Sequence, residues 1–188
     1  MTRRVLPDVQ ALVQAAISAR GAAAVIISSW ERDDTRLITC EAIVAEYEGV
    51  MRRSHILREY AHITNETITA TGTALRERSV FVTVSEVPRV VTEDPDDDIV
   101  LACAVAGNAD YIVTRDQHLL ALGTHRGIPI VSAEALAAIL RGQVSEPVEF
   151  TYGGDSWETQ RALRESASQI KRGEVSSLDE LRAIYKRK

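Results

Sequence analysis

Along the chain, short continuous runs of hydrophobic residues alternate with segments in which hydrophobic residues recur at helical spacing. Runs of aliphatic and β-branched residues, typical of buried strands, occur at 5–6, 37–39, 80–84, 111–113 and 128–131. Between them, apolar residues recur every three or four positions, which predicts helices over 9–18, 22–32, 41–53, 97–106, 116–122 and 133–141, with a weakly patterned helical stretch over 55–78. Because short strands alternate with helices, the sequence predicts an α/β fold, with a parallel β-sheet flanked by helices in three α/β/α layers.

The balance of charge changes near the C-terminus and predicts a domain boundary. Residues 1–157 hold 14 Arg, no Lys and 22 acidic residues, whereas residues 158–188 hold 8 basic and 5 acidic residues. We therefore expect a main domain over 1–142, a linker over 143–157 and a basic helical tail over 158–188. The acidic main domain would need metal ions or a local basic patch to handle a polyanion.

Cysteine content and hydropathy indicate the cellular setting. Cys40 and Cys103 cannot form a disulfide framework and lack the spacing of a zinc site, so we expect two core thiols in a reducing, cytoplasmic protein. No apolar run reaches the ~20 residues of a membrane span, and no apolar segment of a secretory signal follows Arg4. We expect no membrane partner.

Acidic residues mark one edge of the predicted sheet. Asp8 ends the first strand, Asp116 closely follows the strand at 111–113, and the acidic run 94–98 opens a helix. Ligands of parallel sheets bind beyond the carboxyl ends of the strands, so these acids are expected to converge. Glu46 lies within a helix between core positions, where an acid needs a partner.

A divalent cation would allow such carboxylates to coexist. Mg²⁺ or Mn²⁺ takes oxygen ligands and can polarise a phosphate. An EF-hand over the acidic run is excluded, because its sixth loop position is Ile99 instead of Gly and its twelfth is Val105 instead of Glu. The chain also lacks the GxxxxGK[ST] loop of P-loop proteins and the HExxH motif of zinc proteases.

The four acids lie in segments that together resemble a known family. The segments are VLPDVQALV at 5–13, TCEAIVAEY at 39–47, DPDDDIVLACA at 94–104 and YIVTRD at 111–116. In this order and spacing they resemble a PIN domain, in particular the VapC-like toxins of bacterial type II toxin–antitoxin systems, over much of the main domain. The resemblance implies a metal-dependent endoribonuclease that leaves 5′-phosphate and 3′-hydroxyl ends.

The resemblance also implies a catalytic and metal-binding quartet. Its members would be Asp8, Glu46, Asp97 and Asp116, with Mg²⁺ or Mn²⁺ as cofactor. Glu46 has the family's offset from the preceding strand, which Glu41 and Glu48 lack. Asp96 and Asp98 are the competitors of Asp97.

Four further residues border this quartet. Thr114 is expected to bind a metal-bound water or a phosphate. Gln10 stands where the family usually has Asn, so we expect the orientation of Asp8 or of the substrate to differ from the family's. Arg115 and His118 are as consistent with a contact to RNA phosphate as with a solvated edge.

Partners follow from the same resemblance. RNA is the expected substrate, the protein is expected to be a homodimer, and a cognate antitoxin or the chain's own tail would bind the site. The tail resembles the wrapping arms of antitoxins, and an autoinhibitory arm, a plain helical extension and a fusion all remain open. The alternative function is a catalytically weak PIN module that binds RNA or a protein partner.

Overall fold

The computed structural model describes residues 2–84, 87 and 95–142, with residues 95 and 96 described by their backbone alone. The chain divides into two units, residues 1–137 and residues 138–188. The first unit contains the sheet. The predicted linker over 143–157 and tail over 158–188 lie outside the described residues.

Within the described residues, six strands form one sheet in the order β3-β2-β1-β4-β6-β5. The strands are β1 (Arg3–Pro7), β2 (Thr35–Thr39), β3 (Val80–Phe81), β4 (Tyr111–Val113), β5 (Thr124–His125) and β6 (Ile128–Val131). All neighbouring pairs are parallel except β5 and β6, which are antiparallel. The central strands are buried on both faces, as parallel sheets covered by helices generally are.

Helices flank this sheet. They are α1 (Val9–Ile17), α2 (Ala22–Glu31), α3 (Glu41–Met51), α4 (Ser54–Glu59), α5 (Asn65–Arg78), α6 (Pro95–Ala106), α7 (Gln117–Leu122) and α8 (Ala133–Leu140). Helix α1 packs against α2 and α3, and α3 packs against α5, whereas α6 packs on β1, β2 and β4. The predicted α/β class, a mostly parallel sheet flanked by helices, is confirmed.

The core consists of apolar side chains from the central strands and from one face of each packed helix. Its fully buried members include Leu6, Leu37, Ile43, Tyr47 and Leu101. Ile43 and Tyr47 are four residues apart on α3, the helical spacing that predicted a buried stripe. Cys40 and Cys103 are buried free thiols, which confirms their predicted place in the core.

Some details of the predicted elements are wrong. Strand β3 ends at Phe81 instead of Val84, and the two-residue strand β5 was not predicted. The helical stretch over 55–78 is two helices, because α4 ends at Glu59 and a Thr64 capping box starts α5.

The described helices were compared with the length and apolar composition of a membrane span. No single helix among the described residues is long and apolar enough to cross a membrane. Helices α1 and α2 meet the length and composition criteria only as a pair bent by 91°, and buried core helices meet the same criteria.

A glycine allows α6 to approach the sheet closely. Gly107 follows the last residue of α6, and a Cβ at this position would overlap the Cγ2 methyl of Ile38 on β2. Ile38 is fully buried and β-branched, so its side chain has little freedom to move. The lack of a side chain at Gly107 therefore sets the distance between α6 and β2.

Gly107→Ala is expected to lower the free energy of unfolding by about 1–3 kcal/mol, because the added methyl overpacks the core against Ile38. Gly49→Ala is the matched control. Gly49 lies within α3 with open space around its Cα, so alanine there is expected to raise stability by about 1 kcal/mol. Urea unfolding of both variants measures the difference, and equal effects would contradict this account of α6 packing.

Candidate active site

The pairing of β1 with β4 places the first acidic residue of the site. Pro7 is in register with Val113, so the next residues, Asp8 and Thr114, leave the sheet side by side. The backbone N–H of Asp8 continues the pairing by donating to the carbonyl of Val113 at 2.9 Å. Strand register thus fixes where these two side chains begin.

Asp8 is the N-cap of α1, and only 5% of its surface is exposed. Its Oδ1 accepts a 2.6 Å hydrogen bond from the N–H of Ala11, as N-cap side chains do. Its Oδ2 accepts a short hydrogen bond from the hydroxyl of Thr114, and the N–H of Arg115 also donates to the carboxylate. Three donors hold this carboxylate in one orientation.

Thr114 connects Asp8 to Asp116. Its hydroxyl donates to Asp8 and accepts the backbone N–H of Asp116 at 2.9 Å, and the residue is fully buried. A buried hydroxyl engaged in both directions orients both neighbouring residues. That Thr114 also binds a metal-bound water or a phosphate stays a prediction.

Asp116 is the N-cap of α7. Its Oδ1 accepts hydrogen bonds from the N–H groups of His118 at 2.7 Å and Leu119 at 3.2 Å. Its Oδ2 has no hydrogen-bond partner within the described part of the chain. One oxygen of Asp116 is therefore held by the helix, and the other is available to a ligand.

The electrostatics of Asp8 reflect its burial. Desolvation raises the pKa of the Asp8 carboxyl, and the negative charge of Asp116 adds to the rise. Hydrogen bonds from Thr114, Ala11 and Arg115 act in the opposite direction without cancelling it. A bound cation would offset both causes of the raised pKa, because it interacts favourably with the ionised form.

Helix α3 carries three glutamates, and two of them are engaged with Arg76 of α5. Arg76 donates to Glu41 from Nε at 3.0 Å and from Nη2 at 2.6 Å, and to Glu48 from Nη1 at 2.8 Å. These hydrogen bonds lower the pKa of both carboxyls. Arg52 also donates to Glu48, at 3.1 Å. We refer to Arg76, Glu41, Glu48 and Arg52 as the α3–α5 clamp.

Glu46 lies on a different face of α3 from Glu41 and Glu48, the two glutamates of the clamp. At about 100° per residue, Glu46 lies about 140° around α3 from Glu41 and about 160° from Glu48. Glu46 itself is exposed, and the core positions predicted to flank it, Val44 and Tyr47, are buried. The clamp residues were not predicted as a group, because ion pairs between positions 35 and 28 residues apart leave no local sequence signal.

Two of the three candidate acids of α6 have described side chains. Helix α6 begins at Pro95, so Asp97 is its third residue. Asp97 is half-buried, whereas Asp98 is buried and acts electrostatically on His125 of β5. Consecutive helical residues point about 100° apart, so the two acids face different surroundings.

The structure brings two of the four predicted ligands together. Asp8 and Asp116 share Thr114, and their charges interact. Among residues 2–84, 87 and 95–142, no three His, Cys, Asp or Glu side chains are grouped closely enough to hold a metal ion. The hard oxygen donors of Asp8 and Asp116 suit Mg²⁺ or Mn²⁺, and Glu46 and Asp97 would have to move closer to complete the set.

The residue that departs from the family pattern does not orient Asp8. Gln10 is exposed, and its side chain makes no hydrogen bond within the described residues. The carboxylate of Asp8 is held instead by Ala11, Thr114 and Arg115.

A family model for the PIN domain matches residues 4–118, which is more than half of the chain. The chain belongs to the PIN domain family. PIN domains are generally nucleases that bind divalent metal ions. The matched region contains all four candidate ligands, and a comparison with curated proteins finds no match.

Within this PIN domain, Thr114→Val is expected to cost about 1–3 kcal/mol of stability. The substitution keeps the side-chain volume and leaves the buried N–H of Asp116 without its acceptor. Thr114→Ser retains the hydroxyl and loses one methyl, so it should cost only about 0.8 kcal/mol. Chemical denaturation compares the two variants, and a valine variant as stable as the serine variant would contradict the linking role of Thr114.

Proposed function

We propose that this PIN domain is a Mg²⁺- or Mn²⁺-dependent endoribonuclease and the toxin component of a toxin–antitoxin system. The observation that carries the proposal is the Asp8–Thr114–Asp116 arrangement at the carboxyl edge of the parallel sheet. Two acids held together at this edge are costly in the absence of a cation. Membership of a family of nucleases supplies the reaction class.

The chain's own residues provide the scaffold of the proposed reaction. Asp8, Asp97 and Asp116 would hold the cation, and Glu46 would hold a second cation or orient the attacking water. When bound there, Mg²⁺ would polarise the phosphodiester and neutralise charge on the leaving oxygen. Thr114 and the N–H groups of Ala11 and Arg115 keep Asp8 in position for this role.

The toxin role, RNA specificity and partners rest on the resemblance to VapC-like proteins. As part of the proposal, an antitoxin or the chain's own basic tail would cover the acidic edge, and the protein would act as a cytoplasmic homodimer. The charge balance supports the idea of a basic inhibitor, because residues 158–188 are basic and residues 1–157 are acidic.

One observation favours a second candidate, a catalytically weak PIN module that binds RNA or a protein. The described side chains include no group of three potential metal ligands, so the Asp8–Asp116 pair lacks a third ligand in this arrangement. If cation binding cannot draw Glu46 or Asp97 towards the pair, the site binds metal weakly and cleaves slowly.

Cleavage of a structured RNA by the purified protein is expected to require Mg²⁺ or Mn²⁺ and to stop in EDTA. Asp8→Asn and Asp116→Asn should each reduce the rate by about 100-fold or more, since each removes a charged ligand. Asp34→Asn makes the same change at an exposed acid paired with Arg32, and it should cleave at the wild-type rate. RNA binding without metal-dependent cleavage would favour the second candidate.

Growth arrest on expression tests the toxin role separately from the chemistry. Wild-type protein should arrest growth, and Asp8→Asn should not. Expression of the Asp34→Asn control should arrest growth as the wild type does. Metal-dependent cleavage by the purified protein in vitro, without growth arrest in cells, would reject the toxin role and leave the nuclease assignment intact.

Glu46→Gln and Glu48→Gln are expected to separate metal binding from scaffolding. Glu46→Gln should weaken the rise in melting temperature that Mn²⁺ produces, because a ligand that binds more weakly stabilises the folded state less. Glu48→Gln should lower the melting temperature and keep the Mn²⁺-induced rise, because Glu48 belongs to the α3–α5 clamp. An equal Mn²⁺ response in both variants would remove Glu46 from the site.

A further inference from the structure

Arg115 lies between the two residues that organise the acidic site. Thr114 precedes it and Asp116 follows it, so its Cα is about 3.8 Å from each of theirs. Its N–H donates to the Asp8 carboxylate, and its carbonyl accepts a hydrogen bond from Nε2 of Gln117 at 3.3 Å. The backbone of Arg115 is therefore fixed at the edge of the site.

The side chain of Arg115 has no such engagement. The residue is exposed, and its guanidinium has no ion-pair partner within residues 2–84, 87 and 95–142. Two other exposed arginines are paired with a nearby acid, Arg32 with Asp34 and Arg36 with Asp33, whereas Arg20 is unpaired among the described residues.

Neither neighbouring carboxylate forms an ion pair with Arg115 within residues 2–84, 87 and 95–142. Asp8 accepts from Ala11 and Thr114, and Asp116 turns its Oδ1 into the N-terminus of α7. The guanidinium of this edge residue thus remains available to an external anion.

We infer that Arg115 is a substrate-binding residue that holds a backbone phosphate of the nucleic-acid strand at the edge of the Asp8–Asp116 pair. The inference rests on the proposed function, which supplies a nucleic acid as the ligand. The guanidinium presents parallel N–H donors that match two phosphate oxygens, whereas an ammonium group offers a point charge. In an acidic unit, one cation at this position raises the local concentration of phosphate where cleavage occurs.

Binding of a labelled single-stranded RNA oligonucleotide tests the inference directly. Measured by fluorescence anisotropy in an Asp116→Asn background that prevents cleavage, Arg115→Gln should weaken binding about tenfold. It should also reduce the slope of log Kd against log salt by about 0.7, the loss of one phosphate contact to a single strand. Arg115→Lys should retain the salt slope and show intermediate affinity for RNA, because lysine keeps the positive charge and lacks the parallel N–H donors of the guanidinium.

Arg20→Gln is the matched control for loss of an arginine. Arg20 is exposed and follows the far end of α1, away from the carboxyl edge, without an ion-pair partner among the described residues. Arg20→Gln should leave both the affinity for RNA and the salt slope unchanged. With all four acids intact, Arg115→Gln should raise KM for cleavage about tenfold and change kcat little, with an unchanged melting temperature.

The outcomes separate this inference from the proposed function. Wild-type protein that binds RNA through Arg115 but does not cleave it with Mg²⁺ or Mn²⁺ would refute the nuclease and support the phosphate contact. If the wild type cleaves RNA but the Arg115→Gln and Arg20→Gln variants have the same Kd and the same salt slope, only the contact between Arg115 and phosphate is refuted. Absence of RNA binding in the wild type would refute both.

Discussion

The structure of the site depends on one constraint, the register of β1 against β4. Because Pro7 is paired with Val113, Asp8 and Thr114 emerge together, and the Thr114 hydroxyl can reach Asp8 while it accepts the N–H of Asp116. A shift of one residue would move these side chains to opposite faces of the sheet. The same register that buries the core therefore assembles the acidic pair and fixes the backbone on which Arg115 stands.

The acidic pair and the α3–α5 clamp use carboxylates in opposite ways. Glu41 and Glu48 are satisfied by Arg76, and their lowered pKa values mean that they remain ionised in a structural role. Asp8 is buried beside another acid, and its raised pKa marks a carboxylate that the protein alone does not fully compensate. Perturbation of this kind is typical of functional sites, which distinguishes the edge of the sheet from the acid-rich helix α3.

Sequence reasoning predicted most of the sheet and the meeting of Asp8 with Asp116, because both follow from strands whose apolar runs are unambiguous. It missed β5, since Thr124 and His125 show no periodicity, and it started α6 two residues late, since Pro95 at the first helical position was read as loop. The exposure of Glu46 and the clamp through Arg76 depend on how α3 packs against α5, and such long-range contacts leave no local pattern.

We propose that Asp8 and Asp116 are held together to bind a divalent cation that also recruits Glu46 and Asp97. Diffraction from Mn²⁺-soaked crystals, recorded at the manganese absorption edge, tests it most directly. The account predicts an anomalous peak within about 2–2.5 Å of oxygens from Asp8 and Asp116, with Glu46 or Asp97 drawn into the coordination sphere. A crystal saturated with Mn²⁺ that shows no peak beside Asp8 and Asp116 would contradict it.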